Sequence, residues 1–268
     1  MLASRLRVAI IFIPIAVTCA VLGGFFFLAL ILIMLGVAAL EFGRLFKIGG
    51  YQPAQWILVP GVLLIALARY FFEFAYSDAI LAGLVLVAMA YHTIRCGQGC
   101  RTPASDFAIT VSGLMYIGWL GSYLISLRSL PNGMWWTMLA IPAIAIGDTG
   151  AYFVGRHFGK HKLAPPVSPN KTVEGLFGGI ATTILGGILL ALIWGTRTDI
   201  LGWQQGLVLG AVLGVLSPLG DLGESMIKRQ FSVKDSGTIF SAHGGMMDRM
   251  DSWIWGGVIS YYLITWLW

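Results

Sequence analysis

The sequence predicts an all-α, polytopic integral membrane protein, and three observations carry that expectation. Apolar residues fill 57% of the 268 positions and charged residues only 11%, against about half and about a quarter in a soluble domain. Mean hydropathy is +0.83. Apolar runs of roughly 20 residues, enough for a helix to cross a bilayer core about 30 Å thick, recur along the whole chain. The charge deficit weighs most, because a water-facing surface needs charges that this chain lacks.

About nine spans are expected, at roughly 6–22, 24–42, 54–72, 78–95, 107–127, 134–155, 174–194, 203–227 and 250–267. The first resembles a signal peptide, Arg5-Leu6-Arg7 before an apolar run. No persuasive small-residue cleavage site precedes the second run, so an uncleaved helical hairpin turning at Gly23-Gly24 is expected. Thirty-five glycines suit helices packed through small side chains. No internal repeat or separate soluble domain is evident. Residues 1–268 read as a single membrane domain, with 1–133 a helical scaffold and 134–268 the part that carries chemistry.

Loop charges set the orientation. With the N-terminus cytoplasmic, the inner loops hold Arg5, Arg7, Arg44, Lys47, Arg95, Arg101, Arg156, Lys160, Lys162, Lys171, Lys228, Arg229, Lys234 and Arg249. These are 14 of the 17 basic residues, leaving Arg69, Arg128 and Arg197 outside. The expected topology is N-terminus in, C-terminus out. The same placement explains the net charge of +5 without a nucleic-acid partner. Cys19, Cys96 and Cys100 are too few and too oddly spaced for a disulfide framework. Two thiols make an incomplete metal site, as do His157 and His161, which lack a third ligand.

The chemistry-bearing groups concentrate in two cytoplasmic stretches. In the second, Ser217, Asp221, Ser225 and Lys228 recur at helical spacing along one face, with Glu224 beside Asp221. A carboxylate inside an apolar run is costly and by default functional. Lys228, Arg229 and Lys234 follow, then His243-Gly244-Gly245, then Asp248 and Asp251 three residues apart at the start of the last span. Antiparallel packing of the last two spans can bring Asp221 near them. Carboxylates suit hard cations that bridge to phosphate oxygens, cations neutralise phosphate, and glycines allow close backbone approach to an anion. In the first stretch, Asp148, Tyr152 and Arg156 share a helical face. A basic loop then leads to Ser168, Asn170, Lys171 and Thr172, with Glu174 at a helix start. That pattern suits nucleotide phosphates or a base.

The second stretch resembles the signature of the phosphatidate cytidylyltransferase (CDP-diacylglycerol synthase) family. Ser225, Ile227, Lys228, Arg229, Lys234, Asp235, Gly237, Phe240, His243, Gly244, Gly245, Met246, Asp248, Arg249, Met250 and Asp251 all fit it within 27 residues. Upstream, Asp148, Ala151-Tyr152, Gly155-Arg156 and Ser168-Pro169-x-Lys171-Thr172-x-Glu174-Gly175 are also similar. Phe240-Ser241-Ala242 departs from the usual Leu-Pro-Gly, and Asn170 stands where relatives often have Lys. The N-terminal half matches only in general character.

The resemblance implies transfer of a cytidylyl group from CTP to phosphatidic acid, giving CDP-diacylglycerol and pyrophosphate, in the inner membrane with the site facing the cytoplasm. It implies Mg²⁺, as two divalent ions, with K⁺ a further candidate. Asp221, Asp248 and Asp251 would be the ligands. Lys228, Arg229 and Lys234 would meet phosphates, with Ser225 on the same face; Ser168, Asn170 and Lys171 would meet the nucleotide. Asp148 would orient base, ribose or metal, and His243, Gly244 and Gly245 would shape the loop. A homodimer is also implied. The rival readings are a CTP-dependent lipid kinase, which would release CDP, and, further off, a transporter.

Overall fold

The computed structural model describes residues 2–237 and 244–268, with side chains from residue 12 onward. His243 and the Phe240-Ser241-Ala242 departure lie outside the described residues. Helices dominate, and seven among the described residues are long and apolar enough to cross a membrane: Gly24–Ile48, Gln55–Phe72, Ser77–Gly97, Pro103–Ser129, Gly133–Phe158, Val173–Gly195 and Trp203–Gln230. The expected first and last spans are helical as well, as Leu2–Leu22 and Met247–Leu267. The last begins with a charged turn and the apolar part of the first is shorter, Phe12–Leu22.

The chain forms two compact units: Met1–Ser126 with Phe231–Met250, and Leu127–Gln230 with Asp251–Trp268. In the first unit, α1 (Leu2–Leu22) meets α2 (Gly24–Ile48) at Gly23. The φ values of Gly23 and Gly24 are 65° and 49°, a left-handed turn that glycine adopts without a Cβ penalty. Next come α3 (Gln55–Phe72), α4 (Ser77–Gly97) and α5 (Pro103–Gly113). A π-helical stretch (Leu114–Leu120) leads to α6 (Tyr123–Ser129). Ile31, Met34, Leu35, Leu58, Val62, Leu114 and Ile117 form the buried interior.

A polar knot closes one end of this unit. Asp106 is fully buried and accepts hydrogen bonds from Gln52 N (2.7 Å), the Thr102 hydroxyl (3.2 Å) and the Cys100 thiol (3.4 Å). Thr110 Oγ1 accepts from Ala54 N at 3.0 Å and lies 3.1 Å from His92 Nε2. The 49–54 loop is thereby tied to α4 and α5.

Arg69 lies in the last turn of α3 and is only 2% exposed. Its guanidinium lies 3.7, 4.7 and 4.8 Å from the ring centroids of Phe74, Trp119 and Tyr123. An aromatic cage attracts a cation that the span could not otherwise bury.

The second unit is built on α7 (Gly133–Phe158), α8 (Val173–Gly195), α9 (Trp203–Leu216), α10 (Pro218–Gln230) and α11 (Met247–Leu267) from Asp251 on. Small residues let α8 approach its neighbours closely. A Cβ on Gly179 would stand 3.0 Å from Ala151 of α7, and one on Gly210 would stand 2.8 Å from the Ile184 backbone of α8. Beneath them pack Trp136, Leu139, Ile144, Leu209, Leu213 and Ile264.

The expected 203–227 span is α9 and α10 in sequence. Pro218 has no N–H to donate, so helical bonding lapses at Ser217, although its dihedrals stay helical at φ −61° and ψ −34°. The all-α expectation also needs one amendment: β1 (Lys162–Ala164) and β2 (Ser168–Thr172) pair antiparallel. Pro165, Pro166 and Pro169 exclude a helix there, and Val167 N closes the turn onto Ala164 O at 3.0 Å.

Candidate active site

Thr172 ends the hairpin and caps α8, its Oγ1 accepting from Gly175 N at 3.1 Å. Glu174, in the first turn, clamps the other side. It accepts from Lys160 N (3.0 Å) and His161 N (3.2 Å) and lies 2.6 Å from His161 Nδ1. Glu174 therefore orders the hairpin, and His161 is its partner. His157 Nδ1 lies 2.9 Å from Phe153 O. Arg229 Nε donates to Val167 O at 3.1 Å, tying the hairpin turn to α10.

With the hairpin fixed, Lys171 reaches Asp221: Nζ stands 2.6 Å from Oδ2. The other carboxylate oxygen, Oδ1, accepts from the Ser225 hydroxyl one turn on, at 3.3 Å. On the buried side of the same helix, Glu224 and Lys228 pair at 3.2 Å, with side chains 0% and 9% exposed. The helical stripe expected from the sequence is thus present, and it carries two ion pairs.

Asp251 comes to this stripe through Gly220. A Cβ there would stand 2.5 Å from Asp251 O and 2.7 Å from Trp255 Cδ1, so α10 and α11 touch backbone to backbone at that point. The Asp251 carboxylate accepts from Ser252 N. Asp148, exposed on α7, feels the charges of Asp221 and Lys171, and Asp251 feels those of Asp221, Asp148 and Lys228. Tyr152 and Arg156 join along α7 by a 3.1 Å bond from Nη1 to the phenol oxygen. Ser168 is half-buried on β2, and Asn170 is exposed there.

The remaining sequence candidates belong to the first unit. Asp248 Oδ2 accepts from Ser236 N (2.9 Å), the Ser236 hydroxyl (2.8 Å) and Gly245 N (2.7 Å). Gly244 has φ +77°, and a Cβ on it would stand 2.5 Å from Asp248 Oδ2. The two glycines are pressed against carboxylates: Gly244 against Asp248, and Gly245 against Glu41. Lys234 is exposed.

Asp148, Asp221 and Asp251 offer oxygen donors alone, which fits a hard divalent cation. Among the described residues no three His, Cys, Asp or Glu side chains converge to hold an ion by themselves. A magnesium ion that keeps part of its shell for phosphate oxygens and water is matched by such a partial set.

Sequence reasoning missed Glu41, Asp106 and Arg69. Glu41 and Arg69 stand inside apolar runs, so the criterion that singles out Asp221 applies to them equally. Asp106 begins a span and carries no such signal.

Hydrophobic spans carrying carboxylate–lysine pairs mark an integral membrane protein with a charged functional site. Comparison with known proteins narrows it. The sequence pattern of the cytidylyltransferase family matches residues 3–267, so the chain belongs to that family. It is 31% identical over 291 residues to the phosphatidate cytidylyltransferase of Synechocystis sp., covering 98% of this chain and 96% of that protein. Identity to the phosphatidate cytidylyltransferase of Bacillus subtilis is 40% over 159 residues, 59% of this chain and 57% of that protein. With that of Staphylococcus epidermidis it is 38% over 174 residues, 65% of each.

Proposed function

We propose that the protein transfers the cytidylyl group of CTP to phosphatidic acid, forming CDP-diacylglycerol and pyrophosphate for phospholipid synthesis. The observation that carries this reading is the Lys171–Asp221 ion pair, joined by Ser225 and set on a helix whose Gly220 touches the Asp251 backbone, in a chain of this family. An oxygen of the lipid phosphate attacks the α-phosphorus of CTP. The bond from that phosphorus to the β-bridging oxygen breaks, and its electron pair leaves with pyrophosphate. Phosphate monoesters lose their second proton near pH 6, so the attacking oxygen needs no general base. What remains is positioning and charge stabilisation.

Asp221 and Asp251 would hold Mg²⁺, and the family resemblance adds Asp248; two divalent ions, with K⁺ a further candidate, belong to the same proposal. Bound there, the cation supplies neutralisation of the phosphate charge that builds up in transfer. Lys171 lies where its ammonium can meet a phosphate oxygen beside Asp221, and Ser168 and Asn170 flank it on the same strand. Arg229 and Lys234 extend the positive charge toward the phosphates. Lys228, paired with Glu224, holds a buried positive charge near Asp251. Asp148 orients the nucleotide, and His243 with Gly244 and Gly245 shapes the loop.

The proposal includes nine spans in the cell inner membrane, N-terminus in and C-terminus out, and a homodimer as the working unit. A cytoplasmic site follows, where CTP is found.

Pyrophosphate release from labelled CTP by the detergent-purified chain tests it, with phosphatidic acid and Mg²⁺ present. Lipid-dependent pyrophosphate that falls at least about 100-fold in Asp221→Asn and Asp251→Asn is expected, exceeding the usual loss for a ligand's outer partner. Release of CDP instead would establish a lipid kinase.

A further inference from the structure

Glu41 lies in α2, an acid inside an apolar run, and its side chain is among the most buried acids described, at 1% exposure. Its partners come from the far end of the chain. Oε2 accepts from Met247 N at 2.9 Å and stands 3.3 Å from the Ser236 hydroxyl. That hydroxyl has one hydrogen to give and stands 2.8 Å from Asp248 Oδ2, so it donates to Asp248 while lying against Glu41 Oε2. Oε1 has no hydrogen-bond partner. Two glycines make room for the carboxylate, since a Cβ on Gly237 or on Gly245 would collide with it.

The two flanks of the signature loop, 236–237 and 244–247, therefore close on one acidic side chain more than 190 residues away in sequence. An isolated carboxylate is expensive in such a place. Packing alone would be served better by an apolar residue, as buried polar groups often can be replaced without loss. A carboxylate that accepts from one flank, reaches the hydroxyl of the other and presses on both glycines is suited to fixing the loop.

We propose that Glu41 is a positioning residue for the signature loop: it draws Ser236-Gly237 and Gly245-Met247 together and, through the shared Ser236 hydroxyl, sets the carboxylate of Asp248. The kinetic consequence rests on the cytidylyltransferase reading; the structural one does not.

Hydrogen exchange by mass spectrometry on the full chain in nanodiscs, read over peptides spanning 231–250 and over α3 and α5, tests the tether directly. Glu41→Ala is expected to speed exchange of the 245–247 amides at least about tenfold, the factor that one lost buried hydrogen bond produces, with α3 and α5 unchanged. Glu41→Gln keeps an oxygen for Met247 N and should restore most of that protection. Ser236→Ala should reproduce the effect on Gly245 N and add little to Glu41→Ala, since both act through one junction. In the same samples the Mg²⁺ concentration for half-maximal turnover should rise in Glu41→Ala and return toward normal in Glu41→Gln. Unchanged 245–247 protection in Glu41→Ala overturns the proposal. So does exchange that rises equally in α3 and α5, which would make Glu41 a residue of general stability. Absence of nucleotide turnover in the unmodified chain would sink the cytidylyltransferase reading, and the exchange data would still decide on Glu41.

Discussion

Asp221 illustrates what residue types alone convey and what they do not. A carboxylate within an apolar run, spaced one turn from Ser225 and two from Lys228, is visible in the sequence as a site. The pairing is not. Periodicity places residues on a face but leaves the choice between Lys171 and Lys228 as the partner of Asp221 to tertiary contacts. The structure gives Lys171 to Asp221, and Lys228 to Glu224. This division predicts distinct phenotypes. The Lys171–Asp221 side chains are 26% and 37% exposed, and a pair so well screened by solvent contributes less than about 1 kcal/mol to the fold. Lys171→Met should therefore leave thermal unfolding nearly unchanged while raising KM for CTP by about tenfold or more, as loss of one charge-assisted phosphate contact does. A large fall in melting temperature with normal KM would assign Lys171 to structure instead. Glu41 carries the same signal, an acid in an apolar run, but its partners lie at Ser236 and Met247, and no local pattern announces so distant a contact.

The helical, membrane-type character of the chain was legible because each span must satisfy its backbone internally and present about 20 apolar residues. The less legible elements are those where proline or close packing intervenes. Three prolines between α7 and α8 leave a hairpin where a plain loop was expected. Pro218 divides the eighth span without ending it. Gly220 is the position where element packing meets the site, since it lets α10 lie directly against the Asp251 backbone. Gly220→Val should push the two helices apart. Such overpacking costs about 1–3 kcal/mol, and the shift falls next to two carboxylates whose spacing matters for catalysis. Activity should accordingly drop more than stability: at least about 100-fold, as displacements of about 1 Å can cause, with only a few degrees off the melting temperature. Gly223, on the same helix with open space around its Cβ position, is the control. Gly223→Ala should be nearly silent in both assays, and equal damage at 220 and 223 would mean that helix propensity, not the close approach, is what matters.

At the scale of the whole molecule, the distribution of charge carries the proposed orientation. The loops assigned to the inside hold 14 of the 17 basic residues, against Arg69, Arg128 and Arg197. Positive residues resist translocation, so such a bias predicts a cytoplasmic N-terminus. Cys96, exposed just beyond the apolar part of α4, reports on it without any added label. A membrane-impermeant maleimide should modify Cys96 in inside-out vesicles and spare it in right-side-out ones. Arg197→Cys, in a chain whose native cysteines are replaced by alanine, should show the reverse. In the proposed nine-span arrangement two crossings separate the Cys96 loop from the β1–β2 hairpin along the chain, which puts both on one side of the membrane. Labelling of Cys96 from outside would consequently place Lys171 and Asp221 away from the cytoplasmic supply of CTP, and a cytidylyl transfer reaction there would lose its donor. Labelling from within leaves the nucleotide and the carboxylate–lysine cluster on the same side, as the chemistry requires.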